Sequence, residues 1–337
     1  MKKSIITGVG RYIPERVVTN FDLEKMMDTS DAWIRERTGI VERHFAGEGD
    51  TTSSMGAKAA ERALKMAGLK ADQIDFIIFA TLSPDFYFPG SGCSMQAHLG
   101  IPGVGAMDIR NQCSGFIYSL ATADQFIKTG MYNRILVVGS ERHSSGLNLT
   151  TEGRDVAVLF GDGAGAVVLE GKNDSDRGII TSKLHADGQF VKELWVQNPG
   201  SNSEPFANHQ MIDEGTIYPK MNGRYVFKHA VTNFPAVIFE VLAEAGYTTK
   251  DVDLVIPHQA NERITEAVQA RLELPREKVF RNIHKYGNTT AASIPIALSE
   301  ALEDGLIKEG DLVCLAAFGS GFTWARKAIQ RKQEPTT

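Results

Sequence analysis

The sequence predicts an α/β protein built from two copies of one α/β unit, and three observations carry the prediction. Residues 74–81, 134–139 and 312–315 are apolar runs of strand length, the pattern of strands buried on both faces, with helical stretches between them. Next, Ala67-Gly68-Leu69 followed by Ile74-Asp75-Phe76-Ile77-Ile78 recurs as Ala245-Gly246-Tyr247 followed by Val252-Asp253-Leu254-Val255-Ile256, an ungapped offset of 178 (Asp75 against Asp253). Finally, a helix ending Lys128-Thr129-Gly130 recurs as one ending Glu303-Asp304-Gly305, an offset of 175 (Gly130 against Gly305), and each is followed by an apolar strand. The halves divide as 1–172 and 173–337, with a loop-rich insertion at about 190–222.

Taken in order, residues 3–10 read as a strand running into glycines, and Ile13-Pro14-Glu15 as a turn. Asp28-Thr29-Ser30-Asp31 supplies capping residues for a helix carrying Trp33, Arg35 and Arg37. Thr52-Ser53-Ser54 caps a helix over about 55–68, with Ala57, Ala60, Leu64 and Met66 towards its apolar side. An aromatic loop, Pro84-Asp85-Phe86-Tyr87-Phe88-Pro89-Gly90, precedes a helix running through His98. From Met107 to Leu120 the chain reads as a strand end, a tight polar turn holding Cys113, and a long apolar helix closed by Lys128 and Gly130. Residues 155–169 read as strand, glycine-rich turn, strand; 173–225 are loop-rich; 332–337 form a frayed tail.

Composition narrows the function classes. A chain of 337 residues with 42% hydrophobic and 23% charged residues is an ordinary globular protein long enough for two core-sized units. A net charge of −5 gives no general attraction for nucleic acid or an anionic membrane surface. No run approaches the roughly 18 apolar residues of a membrane span, and the N-terminal apolar stretch is too short for a signal peptide. Cys93, Cys113 and Cys314 are odd in number and far apart, which suggests neither a disulfide framework nor a zinc site and fits a reducing, cytoplasmic location.

Cys113 is the candidate nucleophile. Backbone N–H groups at a helix start have no intrahelical partner and carry partial positive charge, so a thiol there is expected to ionise more easily. The 175 offset sets Asn288 opposite Cys113, and the 178 offset sets His258 at the end of the strand matching residues 74–80. Ligands in open α/β sheets sit outside the C-terminal strand ends, so all three fall on one edge. Asn cannot act as a base, but a His Nε2–H and an Asn N–H can together hold a carbonyl oxygen as it becomes an enolate. That pairing suits a carbanion generated by decarboxylation. Small residues in Phe318-Gly319-Ser320-Gly321-Phe322-Thr323-Trp324 admit close backbone approach, and the N–H of Ser320 joins that of Cys113 as a candidate oxyanion hole. Phe160-Gly161-Asp162-Gly163-Ala164-Gly165-Ala166 lacks the following helix of a dinucleotide fingerprint and reads as a structural turn beside the site.

The stretches Asn111-Gln112-Cys113-Ser114-Gly115-Phe116, Pro257-His258-Gln259-Ala260-Asn261, Tyr286-Gly287-Asn288-Thr289-Thr290-Ala291-Ala292-Ser293 and the 318–324 turn together resemble the β-ketoacyl-acyl carrier protein synthase III family. Trp33-Ile34, Arg37-Thr38-Gly39-Ile40 and Phe160-Gly161-Asp162-Gly163 match as well, so the resemblance spans essentially the whole chain. It implies a thiolase-like fold, two duplicated α/β halves in a five-layer αβαβα arrangement, a homodimer, and no metal or redox cofactor beyond CoA thioesters as substrates. It further implies that Cys113 takes an acyl group from acyl-CoA, and that malonyl-acyl carrier protein then decarboxylates against His258 and Asn288 to give 3-oxoacyl-acyl carrier protein. Trp33 and Arg154 correspond to the residues that sandwich the CoA adenine, Arg37 to a phosphate contact, and Asn261 to the pantetheine tunnel. Phe88 corresponds to an aromatic reaching into the partner's acyl pocket, and Arg263, Arg271 and Lys228 to a carrier-docking face on which Glu262 and Glu266 are unexpected acids. The 198–222 loop is longer than in compact members and flanks the expected acyl pocket. The rival readings each miss a feature: elongating synthases carry a second His where this chain has Asn288, thiolases a second Cys where it has Ser320. A papain-like Cys–His–Asn hydrolase would lack its signature and leave the duplication unexplained. A relative condensing onto a CoA-linked or other acceptor stays open.

Overall fold

The computed structural model describes residues 2–330, apart from 174 and 176. The main elements are β1 (Lys3–Tyr12), α1 (Thr52–Ala67), β2 (Phe76–Ala80), β3 (Gly105–Ile109), α2 (Gly115–Lys128), β4 (Arg134–Glu141), β5 (Gly163–Lys172), β6 (Gly178–Ala186), α3 (Gly223–Glu244), β7 (Leu254–Pro257), α4 (Glu262–Leu272), α5 (Ser293–Glu303), β8 (Leu312–Gly319) and β9 (Thr323–Gln330). One sheet runs β1-β5-β4-β2-β3 and the other β7-β8-β9-β6. Strand β2 pairs in parallel with β4 as β7 does with β8, and on the far side of β4 and of β8 the next two strands are antiparallel; β3 adds a further parallel strand beside β2. The second sheet has only an isolated parallel bridge, Val255 to Val279, where the first has β3.

The repeat is visible in hydrogen bonds as well as topology. Asp75 Oδ2 accepts from Arg134 N at 2.8 Å, and Asp253 Oδ2 accepts from Leu312 N at 2.8 Å; each aspartate fastens the entry to its central strand pair. Five layers follow from side-chain alternation along the strands. Ile135 and Val137 of β4 and Val313 and Leu315 of β8 face a shared core with Phe116, Ile117 and Leu120 of α2 and Ile294, Ala297 and Leu298 of α5. Leu136 and Val138 face outward onto α1, while Leu312 and Cys314 face outward onto α3 and α4. The two central helices are apolar because both sheets cover them.

Several local expectations shift. Thr51, not Thr52, caps α1, its hydroxyl accepting from Ser54 N, and Gly68 ends the helix in the left-handed conformation at φ 69°. Ser30 caps the helix Asp31–Thr38. Residues 154–157 form a helical turn rather than a strand, so 155–169 holds one strand. The 190–222 insertion is not structureless: Leu194–Trp195 pairs with Lys220–Met221, and His209–Asp213 is a short helix. The 332–337 tail lies outside the described residues. Helix α3, with 22 residues, is long and apolar enough to cross a membrane, unlike the expectation that no stretch of the chain would be. Phe234, Ile238, Val241 and Leu242 of α3 instead pack in the outer core of the second sheet.

The repeat also corrects one correspondence. Gln112–Ser114 is a 3-10 turn leading into α2, and Thr290–Ala292 is a 3-10 turn leading into α5. Gln112 (φ 44°) and Thr290 (φ 47°) share a left-handed backbone rare for side chains of their kind. At this end of the helices the offset is therefore 178, which sets Ala291, not Asn288, opposite Cys113. The offset falls to 175 only at the far end, because α2 has 14 residues and α5 has 11. Asn288 reaches the site from the strap before the turn.

Candidate active site

Cys113 is buried in the turn before α2, with Gly319 at the end of β8 directly against it. The backbone N–H groups of Cys113 and Ser320 and the hydroxyl of Thr290 bear on its sulfur and favour a thiolate. Burial, followed by the nearby Glu141 carboxylate, outweighs them and pushes the thiol up to about 12. The expectation of an easily ionised thiol therefore fails for the resting site: the helix-start effect, about 0.3–1 kcal/mol at exposed positions, is smaller than desolvation of a buried thiolate. Two N–H groups converging on the sulfur are the arrangement an acyl oxyanion on Cys113 requires. The Ser320 hydroxyl is turned to the carbonyl of Leu194, which ties the glycine turn to the insertion.

His258 follows β7, and its own N–H donates to Ala316 O on β8. Its Nδ1 is 2.6 Å from the hydroxyl of Ser293, the first residue of α5, and its buried Nε2 has no protein partner. Burial drives the imidazole down to about 3, so it is neutral. If the Ser293 hydroxyl donates to Nδ1, the single ring proton resides on Nε2 and is free for a ligand. Gln259 fixes the strand end: its amide donates to Pro257 O and Phe280 O, and its oxygen accepts from Asn282 N and Ile283 N.

Asn288 is held by the glycine-rich stretch read earlier as a turn. Its N–H donates to Leu159 O at 2.8 Å and its carbonyl accepts from Gly161 N at 3.1 Å. A Cβ on Gly161 would lie 2.3 Å from Tyr286 O, so glycine is required for that approach. The side-chain oxygen of Asn288 accepts from Thr290 N at 2.9 Å, leaving its Nδ2 hydrogens without a protein partner among the described residues. Two neutral side-chain nitrogens, His258 Nε2 and Asn288 Nδ2, thus lie without a protein partner among the described residues, on segments tied to the turn that bears on Cys113.

The remaining candidates fall into separate places. Arg37 and Arg154 both lie over the Trp33 ring, at 4.7 and 5.1 Å. Arg154 Nη1 also donates to Asp28 O, and Asn261 Nδ2 donates to Arg37 O while its oxygen caps α4. These four form one half-buried cationic–aromatic patch, with Arg37 its exposed member. Phe88, 80% exposed, projects from the aromatic loop away from this chain's own core. Arg263, Arg271 and Lys228 are exposed on α4 and α3, with Arg263 over the Phe227 ring. The acid at Glu262 is taken up by Arg281, 2.7 Å away, which removes most of the objection to that face. Glu141, His143, Thr290 and Ser293 touch the site without having been singled out as site residues. Thr290 and Ser293 lie inside the quoted motif, whereas nothing local marks Glu141 or His143.

A thiolase fold with a buried Cys, a neutral His and an Asn presenting free N–H groups defines a condensing acyltransferase. Residues 107–188 match the family described as 3-oxoacyl-[acyl-carrier-protein (ACP)] synthase III, and residues 242–330 its C-terminal part. The chain belongs to this family, whose reaction is the condensation that initiates fatty-acid synthesis. It is 48% identical to the β-ketoacyl-[acyl-carrier-protein] synthase III of Caldanaerobacter subterraneus subsp. tengcongensis, over 96% of this chain and 97% of that one. It is 50% identical to that of Geobacillus kaustophilus, over 96% and 98%. The crystal structure of the Aquifex aeolicus VF5 synthase III superposes with a TM-score of 0.89 at 45% identity, covering 98% of this chain and all of that one.

Proposed function

We propose that Cys113 carries the primer acyl group, and that His258 and Asn288 hold the enolate oxygen of a decarboxylating malonyl thioester. The observation that carries this reading is a pair of side-chain nitrogens without a protein partner among the described residues, His258 Nε2 and Asn288 Nδ2, each tied at its other end to the 290–293 turn, whose Thr290 hydroxyl bears on the Cys113 sulfur. In the first half-reaction Sγ attacks the acyl-CoA carbonyl. The oxyanion rests on the N–H groups of Cys113 and Ser320, and the CoA thiolate leaves with the proton. In the second, loss of CO2 leaves its electron pair on the malonyl α-carbon. The enolate oxygen is held by the two donors, the carbanion attacks the Cys113 thioester carbonyl, and the C–Sγ bond breaks to release the 3-oxoacyl product and a Cys113 thiolate, which takes a proton from solvent. No side-chain base is needed, in keeping with an asparagine at the site and a histidine held neutral.

Trp33 and Arg154 would part to take the adenine between them, with Arg37 on a phosphate and Asn261 holding the Arg37 segment in place. The second substrate is malonyl-acyl carrier protein, docking on Arg263, Arg271 and Lys228. The working form is a cytoplasmic homodimer in which Phe88 enters the partner's acyl pocket, and the two halves meet at the 172/173 boundary. No cofactor beyond the CoA thioester is invoked. Incubation with a short acyl-CoA should add one acyl mass on Cys113. His258→Ala and Asn288→Ala should still acylate but lose malonyl decarboxylation. No adduct on the wild type, or full condensation by either variant, would overturn the proposal.

A further inference from the structure

Next to Cys113 lies a buried histidine for which the reaction above has no use. His143 follows β4, its ring against Phe160 at 4.7 Å, and its Nε2 is 2.8 Å from the Thr290 hydroxyl. The turn Thr290–Ala292 packs against the turn Gln112–Ser114 that holds Cys113, and the same hydroxyl bears on the Cys113 sulfur. Thr290 is kept in its left-handed conformation (φ 47°) while its N–H donates to Asn288 Oδ1, so its hydroxyl is placed by backbone held from two sides.

We propose that His143 and Thr290 are positioning residues forming a donor chain, Nε2–H to Oγ1 and Oγ1–H to Sγ, that steadies the Cys113 thiolate. A threonine hydroxyl has one hydrogen, which goes either to His143 or to the sulfur. If Nε2 carries the imidazole proton, the hydroxyl oxygen accepts it and its own hydrogen is left for Sγ. The alternative, in which His143 draws a proton from the thiol through Thr290, requires a charged imidazole. The surroundings oppose that charge: the ring is buried against Phe160, its titratable neighbours include His258, and the buried Asp162 carboxylate takes the backbone N–H of His143 rather than its ring. The chain supplies a third donor beside the N–H groups of Cys113 and Ser320, opposing the Glu141 carboxylate that faces the same sulfur. It deepens the proposed acyl transfer and rests on it only for its purpose, not for its geometry.

Alkylation of Cys113 by iodoacetamide, followed by peptide mass spectrometry, reads the thiolate with no acyl donor present. Below the thiol's midpoint the rate is proportional to the thiolate fraction. Thr290→Val, which keeps the branched shape, and His143→Phe, which keeps the ring on Phe160, should therefore each slow alkylation about tenfold at every pH from 7 to 9, the loss of one hydrogen bond to a charged atom. Thr290→Ser and His143→Gln keep a hydroxyl and a side-chain N–H donor and should stay within about twofold of the wild type. An unchanged rate in Thr290→Val would overturn the chain. A His143→Gln as slow as His143→Phe would assign His143 as the base instead and overturn it equally. Thr290→Val decides the matter even if His143→Phe does not fold. Failure of acyl transfer in the wild type with these rates intact would sink the proposed reaction and leave the donor chain standing.

Discussion

Gly319 and Cys113 touch: a Cβ built on Gly319 would lie 2.6 Å from Cys113 Cβ and 3.0 Å from its sulfur. Cys113, from one half, is therefore seated against the last residue of β8 in the other half. Gly319→Ala must push Cys113, or the Ser320 N–H that follows Gly319, out of place. A displacement near 1 Å can cost about a hundredfold in rate. The variant should fold, with a loss of about 1–3 kcal/mol from overpacking, and acylate Cys113 at least about a hundredfold more slowly. Stopped-flow acylation checks this, and near-normal acylation would show that the contact does not set the nucleophile's position.

His258 should remain neutral, with its proton on Nε2, from pH 5 to 8. Burial lowers its folded pKa to about 3 from an ordinary 6.5, so between those values the unfolded chain binds more protons than the native one. Stability from this group is therefore complete above about 6.5 and drains away as the pH falls towards 3. Nitrogen-15 shifts of labelled histidine, assigned through His258→Ala, read both the charge and the tautomer. A midpoint near 6.5, or a proton on Nδ1, would remove the donor on which the enolate is proposed to rest.

Lys327 on β9 is fully buried near Asp124 of α2, and among the described residues neither its Nζ nor Asp124 Oδ1 has a hydrogen-bond partner. Burial lowers its pKa to about 7 from 10.5, so the unfolded chain binds the extra proton between these values and native stability rises with pH across them. Lys327→Met, which fills the same space without a charge, should raise stability by roughly 2–4 kcal/mol at or below pH 7, the gain shrinking towards pH 10. Asp124 keeps Lys128 at 2.8 Å, so the substitution does not strand it. Urea unfolding of both proteins at pH 6, 7.5 and 9.5 tests the size and the slope together, and a pH-independent difference would show that Nζ is not titrating there.

The pattern of apolar runs made the strands legible, and the Asp75/Asp253 repeat made the duplication legible, because both are periodic or copied signals. The Cys113 counterpart was misplaced because a three-residue difference in helix length lies inside otherwise featureless apolar sequence, where no residue marks it. Residues 155–169 misled because a buried helical turn and a buried strand share the same apolar composition at that length. Cys113, His258 and Asn288, the residues of the proposed reaction, stand out in the sequence through their turn residues and strand-end context. His143, by contrast, meets Thr290 across 147 positions of sequence, and the burial that silences the Cys113 thiol is a property of packing that no local motif carries.

Substitution of Arg263 should separate the two proposed substrates. It is exposed on α4 over the Phe227 ring, with Lys228 next in sequence to that ring, and Glu262 beside it is already satisfied by Arg281. An acidic carrier protein docking here would lose a favourable contact and meet a like charge in Arg263→Glu. Rim charges act mainly on association and on its salt dependence. The variant should therefore raise the KM for malonyl-acyl carrier protein about tenfold or more at low salt and leave kcat nearly unchanged, with the defect narrowing as ionic strength rises. Acylation of Cys113 by acyl-CoA should not change, because Trp33, Arg37 and Arg154 form a separate patch. Condensation with malonyl-CoA in place of the carrier-linked substrate is the control. If both malonyl donors suffer alike, Arg263 serves the pantetheine entrance and the carrier docks elsewhere; if neither suffers, the basic face of α4 plays no part in choosing the second substrate.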